Sequence, residues 1–421
     1  MCRETVRISL VGIGPGDGRL LTCEAAERIR EADCLIGAGR MLQCAGAYLQ
    51  KEKPCFQEYR PKEIREYILE HEEYQKIVVL FSGDPGFYSG AKALYRVLTE
   101  ETDGPRTGWE TEILPGISSI VYLAAKLGVS WEDAALRSLH GKREPFLRTI
   151  VENAKSVFLL GAESGGEVLR KLREYGLDHV ILHVGRNLSG EEESVRSGHP
   201  DAFTEEDLEG LCVLLIENPA PIRRCSPHVR DEEMLRGRVP MTKEAVRAVR
   251  VAALELSPEA VVYDIGAGTG SVSIEAALSG ERIRVWAVEK NPEAAELIEQ
   301  NRRKFYADGI QVVRGTAPEA LEDLEAPTHV FIGGSSGNLK EILRVVKAKN
   351  PAVRIVLNAI SLETVKEIME AVEEGLLEDA EITQIQASKA RLLGRYHMMS
   401  GENPIYIVSA GGRKAKGGEQ A

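Results

Sequence analysis

Short runs of β-branched and other apolar residues alternate with amphipathic stretches along most of the chain. In the first half, the apolar runs predict strands and the stretches between them predict helices. The predicted strands are residues 6–11, 77–81, 112–114, 156–160, 180–184 and 211–216, and the predicted helices are 21–31, 61–72, 90–98, 118–127 and 167–175. Strand–helix alternation on this scale predicts an α/β fold with mostly parallel sheets covered by helices.

A proline-rich stretch at residues 218–227 interrupts this pattern. Three prolines within ten residues continue neither a helix nor a strand, so we expect a domain boundary there. A second α/β series follows, in which Asn291 before Pro292 is a strong helix start signal. Its predicted strands are 260–265, 284–289, 311–315, 329–332, 354–359, 382–386 and 404–409, and its predicted helices are 243–254, 272–278, 292–305, 339–348 and 362–374.

The two halves share no repeat period, so we predict two different domains. The first covers residues 1–218, with lobes of about 1–112 and 113–218, and the second covers 228–410. Residues 219–227 are the predicted linker. Residues 411–421 lack apolar content and are expected to form a disordered tail.

Charge and hydropathy narrow the possible partners. The 421 residues carry a formal net charge of −12, which argues against a dedicated nucleic-acid-binding protein, because such a surface should be basic. No apolar run approaches the roughly 18 residues that span a bilayer, and no secretory leader opens the chain. We therefore expect a cytoplasmic protein without a membrane partner.

The seven cysteines form no CxxC pair and their number is odd. This usage predicts reduced thiols in the core of a cytosolic protein rather than disulfides. Five of them lie within the first 55 residues, but without short spacings or neighbouring histidines. We therefore expect no metal site.

A glycine loop follows the predicted strand 260–265 and opens a helix. Gly266, Gly268 and Gly270 allow backbone to approach a ligand and expose helix amides, and Glu289 ends the next strand, where an acidic residue can accept hydrogen bonds from ribose. A dinucleotide site and a tight turn without ligand are the alternatives. The GxGxG spacing after the acidic Asp264 differs from the GxGxxG of dinucleotide-binding proteins.

This pattern resembles class I S-adenosylmethionine (SAM) methyltransferases, which have a Rossmann-like fold. The resemblance implies that Asp264 and the three glycines line the methionine end of SAM and that Glu289 holds the ribose. The other cofactor-binding residues that it implies are Thr242, Thr316, Ala317 and Gly333. Residues 231–246 and 332–337 further resemble the carbon-15 methyltransferase/decarboxylase family of cobalamin biosynthesis, over a match of about 226–409.

A second glycine-rich loop, with Gly12, Gly14 and Gly16, follows the first predicted strand, and no lysine follows in the P-loop position. Together with residues 81–88 and 114–119, this loop resembles the tetrapyrrole methylase family, class III SAM methyltransferases with two α/β lobes. The match extends over about residues 6–217. It places the following residues near the cofactor: Pro15, Gly83, Asp84, Ser118 and Ser119. Asp84 is alternatively a helix N-cap before Pro85.

Two unrelated SAM folds in one chain resemble the precorrin-6Y C(5,15)-methyltransferase (decarboxylating) family of cobalamin biosynthesis. The resemblance implies one SAM per domain and methylation of carbons 5 and 15 of precorrin-6B or cobalt-precorrin-6B. It also implies decarboxylation of the ring C acetate, and a homo-oligomer. The sequence does not distinguish a metal-free from a cobalt-containing substrate.

Two basic segments are candidates to bind this polycarboxylate tetrapyrrole. Residues 221–250 carry eight basic and four acidic residues, and residues 382–401 carry no acidic residue. Arginine suits bidentate carboxylate recognition, although any single arginine is alternatively part of a solvated surface. The candidate catalytic residues are Arg236, Arg238, Arg391 and Arg395, one of which is expected to hold the acetate carboxylate, and His397 as a proton carrier.

Two other functions remain alternatives: an RNA methyltransferase, and a regulatory protein that binds SAM without catalysis. The net charge of −12 counts against RNA as the substrate. The intact appearance of every cofactor motif counts against a degenerate regulatory protein.

Overall fold

The structure, a computed structural model, describes residues 5–46, 51–99, 109–139, 144–161, 164–224 and 226–412. These residues divide into two compact units. Unit 1 lies within Met1–Gly141, Ala154–Arg173 and Leu177–Pro219, and unit 2 within Lys142–Asn153, Glu174–Gly176 and Ala220–Ala421. Both units contain sheets flanked by helices, so the predicted α/β class is confirmed. No helix in the described ranges is long and apolar enough to cross a membrane.

The first sheet of unit 1 is entirely parallel, with strand order β3-β2-β4-β1-β5. Its strands are β1 (Arg7–Gly12), β2 (Cys34–Gly37), β3 (Cys55–Gln57), β4 (Lys76–Phe81) and β5 (Glu110–Leu114), and its helices are α1 (Cys23–Glu31), α2 (Gly39–Gly46), α3 (Pro61–Glu70) and α4 (Ala91–Thr99). The central strands β1 and β4 are buried along nearly their whole length because helices cover both faces of a parallel sheet.

The second sheet of unit 1 has strand order β6-β7-β10-β8-β9. The elements of this part of the chain are α5 (Ser119–Leu127), β6 (Ala135–Ser138), α6 (Leu147–Glu152), β7 (Lys155–Leu160), α7 (Ser164–Glu174), β8 (Ile181–Arg186), β9 (Ser194–Gly198) and β10 (Cys212–Glu217), of which α6 groups with unit 2. Only β6 and β7 pair in parallel. The prediction of mostly parallel sheets is therefore wrong here, because the short connection from β8 to β9 leaves no room for a crossover helix.

The change from the first to the second sheet falls slightly later than the lobe boundary predicted at 112/113. Strand β5 continues to Leu114 in the first sheet. Helix α5 packs Ile120 and Leu123 against Val157 and Val213 of the second sheet. Residues 115–118, between these elements, carry the chain from one sheet to the other.

Unit 2 is built on a seven-stranded sheet with order β13-β12-β11-β14-β15-β19-β16. Its strands are β11 (Val261–Ile265), β12 (Arg284–Glu289), β13 (Ile310–Arg314), β14 (His329–Ile332), β15 (Arg354–Ala359), β16 (Glu381–Ile385), β17 (Ser388–Leu393), β18 (Tyr396–Gly401) and β19 (Ile405–Ala410), and its further helices are α8 (Glu244–Leu254), α9 (Ser271–Leu278), α10 (Pro292–Lys304), α11 (Leu339–Lys349) and α12 (Leu362–Glu373). The strands from β11 to β15 pair in parallel, and β19 joins them antiparallel. Strands β17 and β18 form a separate, largely exposed hairpin.

The tail and the cysteines differ in part from expectation. Gly411, the first residue of the predicted tail, accepts a hydrogen bond from Arg354, and residues 413–421 lie outside the described residues.

Cys34 and Cys212 are buried, as predicted, whereas Cys23 and Cys55 are exposed, so the expectation of core thiols is wrong for these two. Cys2 and Cys225 also lie outside the described residues.

Candidate functional site

A cavity of about 590 Å³ lies between the two sheets of unit 1. Its wall includes residues that directly follow β2, β3 and β4, together with Pro15 and Ser118 from the loops after β1 and β5, because the carboxyl ends of parallel strands meet at one edge of a sheet. The volume falls within the range of about 300–1,000 Å³ that is typical of ligand pockets. All five predicted cofactor-binding residues of this half line the cavity: Pro15, Gly83, Asp84, Ser118 and Ser119.

Three glycine-bearing loops meet backbone to backbone beside this cavity. The amide of Gly83 donates to the carbonyl of Gly14 at 2.8 Å, and the amide of Gly14 donates back at 3.2 Å. A Cβ atom at Gly116 would lie 2.2 Å from the carbonyl oxygen of Gly83 and 2.8 Å from Gly12. Only glycine permits this approach.

The carboxylate of Asp84 ties two of these loops together. Its Oδ1 accepts the amide of Gly86 at 2.8 Å and its Oδ2 accepts the amide of Gly116 at 3.0 Å. The helix that follows begins only at Ala91, so the alternative that Asp84 is a helix N-cap is wrong. Ser118 is the residue that caps a helix here, since its Oγ faces the amide of Ile120 at the start of α5.

Unit 2 has a smaller hollow of about 190 Å³ at the carboxyl ends of β11, β12, β13 and β14. Four predicted cofactor-binding residues line it: Gly266, Glu289, Thr316 and Ala317. Lys290, Ser335 and Ser336 also line it and were not predicted. A hollow of this size holds part of a SAM molecule, and the glycine loop after β11 extends the surface beyond it.

The glycines after β11 and β14 lie against each other. A Cβ atom at Gly266, whose φ is +74°, would lie 2.9 Å from the backbone nitrogen and oxygen of Gly334. The amide of Gly333 donates to the carbonyl of Ile265 at 2.8 Å. This contact explains the glycine at position 266, and a Cβ atom at Gly333 would lie 3.1 Å from the carbonyl oxygen of Gly266. The two loops form a backbone cradle beside the hollow.

Glu289 is held by backbone amides. Gly268 donates to its Oε2 and Asn291 donates to its Oε1, both at 2.8 Å. A carboxylate oxygen accepts more than one hydrogen bond, so Glu289 retains acceptor capacity towards the hollow. Ribose hydroxyls fit that capacity.

Asp264 is the most strongly perturbed carboxyl group of the site. It is buried, its Oδ2 accepts the hydroxyl of Ser273 at 2.5 Å, and its Oδ1 has no hydrogen-bond partner among the described residues. Burial raises the pKa of Asp264 to about 6, although the hydrogen bonds from Ser273 oppose this shift. A buried acceptor without a partner fits a cationic group of a ligand.

Arg250 is a further candidate that the sequence did not separate from the substrate-binding segment. Its Nη1 donates to Oγ1 of the predicted residue Thr242 at 2.7 Å, its guanidinium lies 5.5 Å from the ring of Phe331, and its Nε has no partner among the described residues. Burial lowers the pKa of Arg250 to about 10. Together Asp264 and Arg250 offer buried groups of both charges, which fits the zwitterionic amino-acid end of SAM.

Arg247 is wholly buried and occupied by internal partners. It donates to Glu275 at 2.6 Å, to Asp231 at 3.2 Å and to the carbonyl of Thr242 at 2.7 Å. Arg247 therefore holds residues 229–242 against α8 and α9. Its inclusion among the basic residues that bind the substrate is wrong.

The five predicted catalytic residues are exposed and none lines the hollow of unit 2. Arg236 and Arg238 lie on a loop that Leu235 fastens to Asn301 of α10. The others, Arg391, Arg395 and His397, lie on the hairpin β17–β18. The ion pair of Lys389 with Glu244, at 2.9 Å, holds the hairpin at the start of α8.

Comparison with known proteins assigns a family to each half. The family described as "Tetrapyrrole (Corrin/Porphyrin) Methylases" matches residues 7–201, and the family described as "Precorrin methyltransferase domain" matches residues 234–410. A "Probable cobalt-precorrin-6B C(15)-methyltransferase (decarboxylating)" of Pyrobaculum calidifontis is 41% identical over 189 residues, which are 44% of this chain and 96% of that protein. The chain belongs to the precorrin methyltransferase family.

One relative of this methyltransferase spans both halves. A precorrin-6Y C(5,15)-methyltransferase [decarboxylating] of a Sinorhizobium species is 29% identical over 361 residues, or 85% of each chain. A crystal structure of a precorrin-6Y C5,15-methyltransferase from Geobacter metallireducens has 37% sequence identity, covers 44% of this chain and 96% of its own, and has a TM-score of 0.42. The resemblance of the first half to tetrapyrrole methylases and that of the second half to a precorrin methyltransferase are therefore confirmed.

Proposed function

We propose that this SAM-dependent methyltransferase of cobalamin biosynthesis carries out two methylations on one tetrapyrrole. Unit 1 methylates carbon 5, and unit 2 methylates carbon 15 and decarboxylates the ring C acetate. Each unit binds its own SAM. The main support is that each unit has a separate hollow at the carboxyl ends of its strands. All five cofactor-binding residues expected in unit 1 line the first hollow, and four of the nine expected in unit 2 line the second.

The residues of unit 2 fit SAM from end to end. Asp264 and Arg250 would bind the amino-acid end, Glu289 the ribose, and Thr316 with Ala317 the adenine. Bound SAM supplies an electrophilic methyl group on a sulfonium centre. Because a meso carbon of a reduced tetrapyrrole is already enamine-like and nucleophilic, the protein has to align the two groups and exclude water rather than supply a strong base.

Decarboxylation needs an electron sink and a bound carboxylate. The imine formed beside the new methyl group serves as the sink, so the step requires no metal or pyridoxal. Arg236, Arg238 and Arg391 are exposed and form no ion pair with the described residues, so they are available to hold the acetate. Arg395 is exposed too, but its Nη2 donates to the hydroxyl of Tyr396 at 2.8 Å, a contact that it would exchange for the carboxylate. His397 is the candidate proton carrier. We also predict a homo-oligomer.

Titration calorimetry is expected to find two bound SAM molecules per chain. The affinity of the unit 2 site for SAM should depend on pH. The ionised form of Asp264 attracts the ammonium and sulfonium charges, and its pKa is about 6. Protonation therefore weakens the unit 2 site as the pH falls, by about tenfold for each pH unit below 6.

Asp264→Asn is the matched control, because it keeps the shape and removes the titration. It should bind SAM more weakly in unit 2 at pH 7 and lose the pH dependence, while the second SAM is unaffected. One SAM per chain, or identical affinities of both sites at pH 7 and pH 5, would contradict the assignment.

A further inference from the structure

Beyond the cofactor residues, one wall of the unit 1 cavity carries side chains without an assigned role. Arg40 follows β2, Tyr59 follows β3 and Tyr88 follows β4, so all three lie at the carboxyl edge of the first sheet. All three line the cavity and are exposed, Tyr59 to 78% and Tyr88 to 59%. We name these three residues the rim.

Arg40 is the one cationic side chain among the described residues that line the cavity. It forms a single hydrogen bond, from Nη2 to Oγ of Ser82 at 3.2 Å, and no ion pair within the described part of the chain. The acidic lining residues are engaged otherwise. Asp84 accepts two backbone amides, and Glu58 pairs with Arg60 at 2.6 Å. Arg40 is therefore available to an anionic group of a ligand.

The two tyrosines offer flat apolar surface beside this cation. Glu58 fixes the backbone of Tyr59, since its Oε1 accepts the Tyr59 amide at 2.8 Å, and the guanidinium of Arg60 holds the pKa of Glu58 well below its usual range. Tyr88 has a φ of +46°, its ring packs edge-on against Phe87, and its hydroxyl donates to the carbonyl of Leu136 at 3.3 Å. The backbone of Tyr59 is fixed by Glu58, and the ring of Tyr88 is held by its own contacts, so both rings are placed at the cavity and suit stacking on a planar ligand.

We propose that the rim binds the tetrapyrrole for the carbon-5 methylation. The guanidinium of Arg40 pairs with a peripheral carboxylate, and the rings of Tyr59 and Tyr88 pack on the macrocycle. This inference rests on the proposed function of unit 1. It adds the residues that select a flat polycarboxylate, which the cofactor residues do not.

Arg40→Met tests the rim in the full-length chain. It should raise KM for the macrocycle in carbon-5 methylation by about tenfold or more, because a charge-assisted hydrogen bond is lost, with kcat and the SAM affinity of unit 1 unchanged. Arg40→Lys should give an intermediate KM. Tyr59→Leu should raise KM by about fivefold through lost stacking.

The matched controls are Arg30→Met and Tyr95→Leu, which change exposed residues of α1 and α4 that do not line the cavity. Carbon-15 methylation in the same samples reports that the chain is folded. Equal KM values for Arg40→Met and Arg30→Met would overturn the proposal that the rim binds the macrocycle, and so would an equal loss of SAM affinity and macrocycle affinity. Either result would leave the proposed function of unit 1 standing. A wild-type chain that does not methylate carbon 5 would overturn the proposed function of unit 1 and the rim with it.

Discussion

Arg247→Met is expected to lower the free energy of unfolding of unit 2 by about 3–5 kcal/mol, since removing one partner of a buried ion pair leaves the other charge unpaired. Arg247 and Glu275 are both almost completely buried, and Glu275 also accepts the amide of Val229 at 3.0 Å. Urea unfolding measures this change when it is monitored by hydrogen-exchange mass spectrometry of peptides from unit 2.

Two further variants test whether the loss of stability comes from leaving a buried charge unpaired. Arg282→Met breaks an exposed pair with Glu259, whose side chains are 45% and 70% exposed, and should cost about 1 kcal/mol or less. Adding Glu275→Gln to Arg247→Met should restore part of the stability, because the unpaired carboxylate is gone. A loss for Arg247→Met no larger than that for Arg282→Met would contradict the role of Arg247 as the buried anchor.

Gly116→Ala is expected to reduce kcat/KM for carbon-5 methylation by at least about 100-fold. The added Cβ would meet the carbonyl of Gly83 at 2.2 Å, where backbone on both sides cannot rotate away. The loops that carry Gly83 and Ser118 must then separate, and a displacement of about 1 Å at a cofactor site is enough for a loss of this size. Initial rates of carbon-5 methylation measure the effect.

The internal control is unit 2, whose carbon-15 methylation and decarboxylation should persist in the same variant. Gly46→Ala is the matched control in unit 1, because a Cβ atom at Gly46 meets no atom of the described residues within 4 Å. It should leave both activities intact. Carbon-5 activity of Gly116→Ala close to that of Gly46→Ala would show that the backbone contact is not needed.

The elements that sequence predicted well are those with a strong local signal. The buried strands β1, β4, β12 and β14 are mostly apolar runs between turns, and the structure places their ends within a residue of prediction. Asn291 caps α10 through its side chain, as its position before Pro292 predicted. Such signals depend on neighbours in sequence and need no knowledge of the fold.

The missed elements lack such a signal. Strand β2 has four residues and leads almost directly into α2, which is too short for a periodicity to register. The hairpin β17–β18 exposes both faces, so no alternation of apolar and polar positions marks it. The antiparallel return of β10 between β7 and β8 is set by long-range pairing, which a local pattern does not contain.

Site residues were likewise predicted where the sequence carries a local signal and missed where it does not. The glycine loops were identifiable because turn chemistry and cofactor motifs are local. Arg40 and Tyr59 were missed because each stands alone in the sequence, and only strand order brings it to the cavity of unit 1. Arg250 was not separated from the basic segment around it, because only the fold shows that it is buried. Arg247 was misassigned because its charge suggested a surface role, whereas burial with Glu275 gives it a structural one.

Mass spectrometry of the tetrapyrrole after incubation with the wild-type chain and SAM shows whether two methylation sites act on one substrate. The proposed function predicts a product with two additional methyl groups and one carbon dioxide fewer, and Gly116→Ala should yield one methyl group and the same loss of carbon dioxide. A wild-type product with a single added methyl group, or one that retains every carboxylate, would contradict it.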